Sequence, residues 1–177
     1  MVDGARTVGG MSPLRHSSMA PRDRTDPSKG FVEVDRNGLE VLDRSECLGL
    51  LAASRLGRIA VTFGALPVIL PVNFCLTGDQ VVFRTSVGTK LDAATCETIV
   101  AFEVDEFDPL AHTGWSVVVT GYASEVTEPT VRAELEAAPI PHWAPSRGER
   151  YIAVSTEMIT GRRINPELGP PSSAGIT

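Results

Sequence analysis

The chain has 177 residues, 42% apolar and 21% charged, with a formal charge of −6, enough for one domain with a buried core. The acidic balance excludes a general nucleic-acid surface, which would show a basic stripe, but leaves room for a local anion site. Cys47, Cys75 and Cys96 are widely spaced and form no C-x-x-C pair, so they read as reduced thiols of a cytoplasmic protein rather than as a zinc set.

Residues 1–30 show almost no apolar periodicity and scatter Arg6, Arg15, Arg22, Arg24 and Lys29 among Ser, Pro and Gly. They are expected to be a disordered tail, without the apolar core of a secretory signal. One domain is expected over 31–165. Phe31–Val34 reads as a short strand or lead-in, and Asn37-Gly38 as a turn. A helix follows from Leu42 to about Ser54, with Asp43 as N-cap and Glu46 completing a capping box. Cys47, Leu50 and Leu51 lie on its apolar stripe, which places Cys47 in the core.

A succession of strands comes next: 57–63, 66–76, 80–86, 98–105 and 115–126, then one long last strand over 150–164. Pro67 and Pro71 assign the second strand to an edge or a bulge. Gly121 is a natural bulge site where the long fifth strand can bend. Glu128-Pro129 opens a helix running to about Ala138, and 139–145 is an extended loop. The tail 166–177, rich in Pro, Gly and Ser, is expected to be loose. The most apolar region, 59–76, is interrupted by Gly64, Pro67, Pro71 and Asn73, which suits strands and turns rather than a membrane span. Six strands with short turns and a few helices predict a mainly β fold, an antiparallel barrel with peripheral helices.

The most informative stretch is Val81-Val82-Phe83-Arg84-Thr85-Ser86-Val87-Gly88-Thr89-Lys90-Leu91. It begins as a strand that is apolar on both faces. It then places two cations and three hydroxyls within seven residues around a glycine turn, before a short helix. Hydroxyls, outward backbone N–H groups and a lysine at such a turn suit an anion, phosphate foremost. A solvated turn carrying ordinary surface charge is the competing reading. No hydrolase, metalloprotease, dinucleotide or Walker motif is present. His16, His112 and His142 lie far apart, and Glu103 and Asp105 are expected to pair with Arg58 or Arg84 as structural ions.

Five segments in order carry a family resemblance. They are Pro71-Val72-Asn73-Phe74; Phe83-Arg84-Thr85-Ser86 with Lys90-Leu91; 100–105; Gly114-Trp115-Ser116-Val117 with Val119, Gly121 and Ala123; and Ile159-Thr160-Gly161-Arg162-Arg163. Together, over roughly 39–164, they resemble the pyridoxamine 5′-phosphate oxidase-related flavoproteins, most of all the actinobacterial branch similar to the nitroimidazole-resistance reductases.

The resemblance implies a six-stranded split β-barrel and a homodimer holding FMN at the subunit interface. It also implies an oxidoreductase acting on a small molecule, with neither nucleic acid nor membrane as partner. Thr85 and Lys90 match the positions that meet the flavin phosphate, with Ser86 and Thr89 as further donors. Arg84 falls near the ring or ribityl chain, and Pro71, Val72 and Asn73 on the strand lining the ring. Trp115 and Ser116 match a pair reaching the phosphate end, often from the neighbouring subunit, and Arg162 and Arg163 a C-terminal arginine region near the partner's cofactor. The Arg-x-x-x-Leu-Lys segment of the true oxidases is absent, which argues against pyridoxamine phosphate as substrate. Two alternatives use the same fold. One is an F420-dependent reductase, with Arg58, Arg84, Lys90, Arg162 and Arg163 as cations for the acidic tail. The other is a non-enzymatic flavin or haem module, with His112 or His142 as axial ligand.

Overall fold

The computed structural model of the chain describes residues 32–137 and 148–168. The expected N-terminal tail, the loop over 139–145 with His142, and the end of the C-terminal tail lie outside the described residues. The elements run β1 (Glu40–Leu42), α1 (Arg44–Ala53), β2 (Leu56–Phe63), β3 (Leu66–Thr77), β4 (Gln80–Ser86), α2 (Lys90–Thr95), β5 (Thr98–Asp108), β6 (Thr113–Glu125), α3 (Pro129–Ala137), β7 (Glu149–Ser155) and β8 (Met158–Ile164).

The strands form one antiparallel sheet in the order β1-β8-β6-β5-β2-β3-β4-β7. An additional pairing of β6 with β7 closes six of them into a barrel. The mainly β, six-stranded split barrel expected above is therefore the observed fold. One expectation is corrected. The stretch 150–164 is two strands, broken at Thr156-Glu157. Its first part, β7, runs between β4 and β6, whereas its second, β8, pairs with the first half of β6 and carries β1 at its far edge.

β6 makes this possible by changing partner along its length. Gly114–Thr120 pairs with β8 and Ala123–Glu125 with β7. Gly121 sits at the switch, where a Cβ would lie 2.0 Å from the Ser155 carbonyl oxygen. Only glycine lets the β7–β8 corner approach so closely.

The barrel core is built from residues that alternate inward along each strand. Ile59, Phe74, Phe83 and Phe102 are fully buried, and the rings of Phe74 and Phe102 meet edge to face with centroids 4.8 Å apart. This geometry adds about 1 kcal/mol to the area they bury. A smaller cluster lies on the opposite face of β4 and β7, where Val82, Tyr151 and Ala153 pack under Leu135 of α3. Two buried faces explain why Val81-Val82-Phe83 is apolar at every position.

α1 buries Cys47 and Leu51 in the core. Asp43 accepts from the Glu46 amide, and the Glu46 carboxylate accepts from the Asp43 amide, so the predicted capping box is in place. Leu42, read as the first helical residue, instead ends β1. β3 outruns β4: Leu66–Asn73 pairs with β2, and only Phe74–Thr77 reaches β4. Pro67 and Pro71 fall in the half with one strand partner, where a missing N–H leaves no ladder bond unmade.

Candidate functional site

The end of β4 turns into α2 through a tight loop. Gly88 takes φ +79°, the left-handed conformation glycine adopts at little cost. Thr89 caps α2, its hydroxyl accepting from the Asp92 amide at 3.1 Å. Thr85 shares the inward face of β4 with Val81 and Phe83 and is 5% exposed. Its hydroxyl lies 3.1 Å from that of Thr89. Thr85, Ser86, Thr89 and the backbone of Lys90 are thus brought to one turn.

The backbone amides of this turn are already engaged. Val87 donates to the Gly148 carbonyl, Thr89 to the Ser86 carbonyl, and Gly88 to a carboxylate oxygen of Asp92 at 2.9 Å. The outward N–H groups expected here are therefore not those of Val87, Gly88 or Thr89. Asp92, 6% exposed, is a residue the sequence reading missed. Its other oxygen accepts from Arg150 at 3.3 Å, and Arg150 stands directly across from Thr85 on β7. The Thr89-x-x-Asp92 spacing is a capping pattern that could have flagged Asp92. No local pattern points to Arg150.

Arg84 faces the other side of β4 from Thr85, as strand alternation requires. It pairs with Glu149 at 3.2 Å and lies over the Tyr151 ring, 5.9 Å from its centroid. Arg132 of α3 approaches the same ring at 5.9 Å. Glu103 and Asp105 both pair with Arg58, not with Arg84, and the bond to Asp105 pushes the Arg58 guanidinium above its ordinary range.

Trp115, Ser116, Arg162 and Arg163 gather at a different place, where the start of β6 lies beside the end of β8. Ser116 is in register with Arg162, and Trp115 with Arg163. A cleft of about 880 Å³ opens there, lined by Trp115 and Arg163 together with Glu40, Glu106, Asp108 and Glu167. Hydrogen bonds donated by the Ala111 and Leu110 amides hold the Asp108 carboxyl below its usual range. Arg163 is faced by Glu40 and Glu46, and Arg162 by Asp35 at 3.0 Å. With four carboxylates and one arginine on its walls, this cleft is a poor seat for a phosphate.

Within the chain the two groups lie toward opposite ends of β6. Glu125 of β6 is level with Ile152 of β7, close to the Thr85–Arg150 pair, and Ser116 lies nine residues back along β6. At ~3.3 Å per residue that is a contour of at most about 30 Å along a strand that changes partner at Gly121. Pro71, Val72 and Asn73 occupy the β3 segment opposite Arg58, Gly57 and Leu56. His112 is exposed in the β5–β6 turn with φ +51°.

The outer face of β3, β2, β5, β6 and β8 mixes apolar and polar residues. One cross-strand row reads Ile69, Ala60, Ala101, Thr120, Met158, and the next Pro71, Arg58, Glu103, Val118, Thr160. Ile69 is 66% exposed and Met158 67%, at the two ends of the first row, and the second row carries the Arg58–Glu103 ion pair.

Comparison with known proteins places this geometry among relatives. The family described as pyridoxamine 5′-phosphate oxidase matches residues 43–163. An uncharacterised protein of Mycobacterium tuberculosis is 39% identical over 135 residues, covering 73% of this chain and 88% of its own. A solved FAD binding protein from Mycobacterium smegmatis superposes with a TM-score of 0.63 at 37% identity, over 71% of this chain and 99% of that one. A solved Corynebacterium diphtheriae protein of unknown function superposes at 0.60 with 28% identity, over 72% and 98%.

Proposed function

The chain belongs to the pyridoxamine 5′-phosphate oxidase family, and on that premise we propose that it is a flavin-dependent oxidoreductase acting on a small organic substrate. The observation that carries this reading is the 37% identical FAD binding protein, whose length the chain covers almost completely. The site chemistry fits. Thr85, Ser86 and Thr89 supply hydroxyl donors at one turn and Lys90 a charge, the donor set a flavin phosphate takes. The half of β3 that runs past β4 offers a backbone edge for the polar rim of a planar ring.

A flavin bound there supplies the hydride transfer, and the protein supplies position and electrostatics. Arg84 is held in place by Glu149 and Tyr151. FMN is the cofactor expected from the sequence. FAD is the second reading, favoured by the name of the M. smegmatis relative. F420 fits less well, because Arg58, Arg84, Arg162 and Arg163 each already face a carboxylate, and an acidic tail needs uncommitted cations.

The reading includes a homodimer. The placement of the two groups of site residues toward opposite ends of β6 supports a site shared between subunits, with Trp115 and Ser116 of one copy meeting the β4–α2 turn of the other. The row from Ile69 to Met158, with both of these side chains exposed, is the surface a second copy would cover.

The test is the absorption spectrum of the purified protein, with mass identification of the released cofactor and the mass of the assembly in solution. A yellow dimer releasing FMN or FAD, reducible anaerobically with NADPH, is the expected result. A colourless protein that takes up neither flavin overturns the reading, and a yellow monomer overturns its dimeric part.

A further inference from the structure

The turn proposed to hold the flavin phosphate is not held by backbone bonds alone, and the side chains that support it are not the ones that would touch the ligand. We propose that Asp92 and Arg150 are positioning residues for this turn, setting the flavin-phosphate affinity without contacting the phosphate. This inference rests on the flavin reading above. It starts from an apparent contradiction: a buried carboxylate stands at the base of a site meant for an anion. Simple electrostatics counts it as harmful there.

The contacts give the carboxylate another task. One Asp92 oxygen fixes the Gly88 amide at 2.9 Å, in the glycine whose positive φ reverses the chain. The Asp92 amide fixes the Thr89 hydroxyl at 3.1 Å, and that hydroxyl lies 3.1 Å from Thr85. The second carboxylate oxygen takes the Arg150 guanidinium at 3.3 Å, and Arg150 also reaches Glu125 of β6 at 3.6 Å. The turn is thereby tied to β7 and β6, two strands of the barrel wall. The donors of the site, Thr85 and Thr89, are held at both ends by a charge-assisted chain that starts from a rigid element. Arg150 compensates the buried Asp92 charge, so the pair adds little net field at the turn.

The two accounts of Asp92 predict opposite signs. If it acts through charge, Asp92→Asn removes an anion and strengthens phosphate binding. If it acts by positioning, the same change leaves one acceptor oxygen for two donors, the Gly88 amide and the Arg150 guanidinium, so the tie between turn and β7 is broken at one end and phosphate binding weakens.

The experiment uses the full-length chain after removal of co-purified flavin, titrated with riboflavin and with FMN by fluorescence quenching. The ratio of the two dissociation constants isolates the phosphate contribution. Asp92→Asn and Arg150→Gln are expected to lower that ratio by about tenfold, the loss of one charge-assisted bond, with riboflavin affinity unchanged. Arg150→Lys is expected to recover part of it, and as the milder change it keeps the test open should Arg150→Gln fail to fold. A ratio that rises in Asp92→Asn, or stays constant while only the melting temperature falls, overturns the proposal and leaves the flavin reading standing. Equal affinity of the wild-type chain for riboflavin and FMN removes the phosphate turn itself, and the proposal with it.

Discussion

Replacing Gly121 by alanine tests the barrel closure at its tightest point. The added Cβ would lie 2.0 Å from the Ser155 carbonyl oxygen and 3.0 Å from the Ser155 carbonyl carbon and hydroxyl. Ordinary contact begins near 3.4 Å, so the backbone of the β7–β8 corner must retreat by more than an ångström. A flexible side chain could swing aside, but a backbone carbonyl moves only with its strand. The cost is at least about 2 kcal/mol, the scale of overpacking in a core that must shift its backbone. Against a stability of about 5–15 kcal/mol for a domain of ordinary size, that is a large fraction. The control is Gly49→Ala, on the exposed side of α1, where a new Cβ meets nothing within 4 Å. Alanine is the better helix former by up to ~1 kcal/mol, so this change stabilises. Urea unfolding followed by far-UV circular dichroism reads both variants, with the midpoint compared at constant slope. A Gly121→Ala protein within about 0.5 kcal/mol of wild type, a margin typical of an inconsequential surface change, would refute the close approach and with it the closure by β6 and β7.

Asp43→Ala removes the side-chain half of the α1 capping box, the bond from the Glu46 amide, and leaves the Asp43 amide donating to Glu46; it should cost about 1 kcal/mol in the same urea assay, with no effect if the helix starts elsewhere. Burial raises the Cys47 thiol above its usual value, whereas Cys96 is exposed, so iodoacetamide at pH 8 should label Cys96 in the native protein and spare Cys47. Peptide mapping that finds Cys47 modified first would contradict the packing of α1. The Asp35 carboxyl is held below its ordinary 3.8, chiefly by the Leu39 amide, with Asn37 and Arg162 adding to it against burial. Its folded value is depressed, so its stabilising contribution is fully present above the unfolded value and is lost as pH falls through the folded one. The difference in urea midpoint between wild type and Asp35→Asn should therefore be flat from pH 5 to 7 and close below pH 3.8. A difference that persists at pH 2 would mean that the carboxylate charge plays no part.

Local pattern was enough for much of this protein. Asp43 and Glu46 announce the start of α1 because a cap acts over three residues. Pro67 and Pro71 mark the one-partner half of β3 because proline has no N–H to donate. The ordered segments from Pro71 to Arg163 were enough to identify the family and the barrel. The turn at Gly88 was legible because Gly, Thr and Lys each have a local reason to be there.

Tertiary structure alone decided what lies beyond that range. The apolar run over 150–164 reads as one strand, and only pairing with both β4 and β6 breaks it at Thr156 and closes the ring. Arg84 and Thr85 are adjacent in sequence yet face opposite sides of β4, and Arg84 meets a carboxylate 65 residues away. Asp92 finds Arg150 across 58 residues. Residue propensities act over about one turn or one strand pair, whereas sheet register and the choice of ion-pair partner are settled by the packing of distant segments. The sequence therefore determined which residues have the chemistry for a phosphate, and the fold decided which of them share the β4–α2 turn and what holds them there.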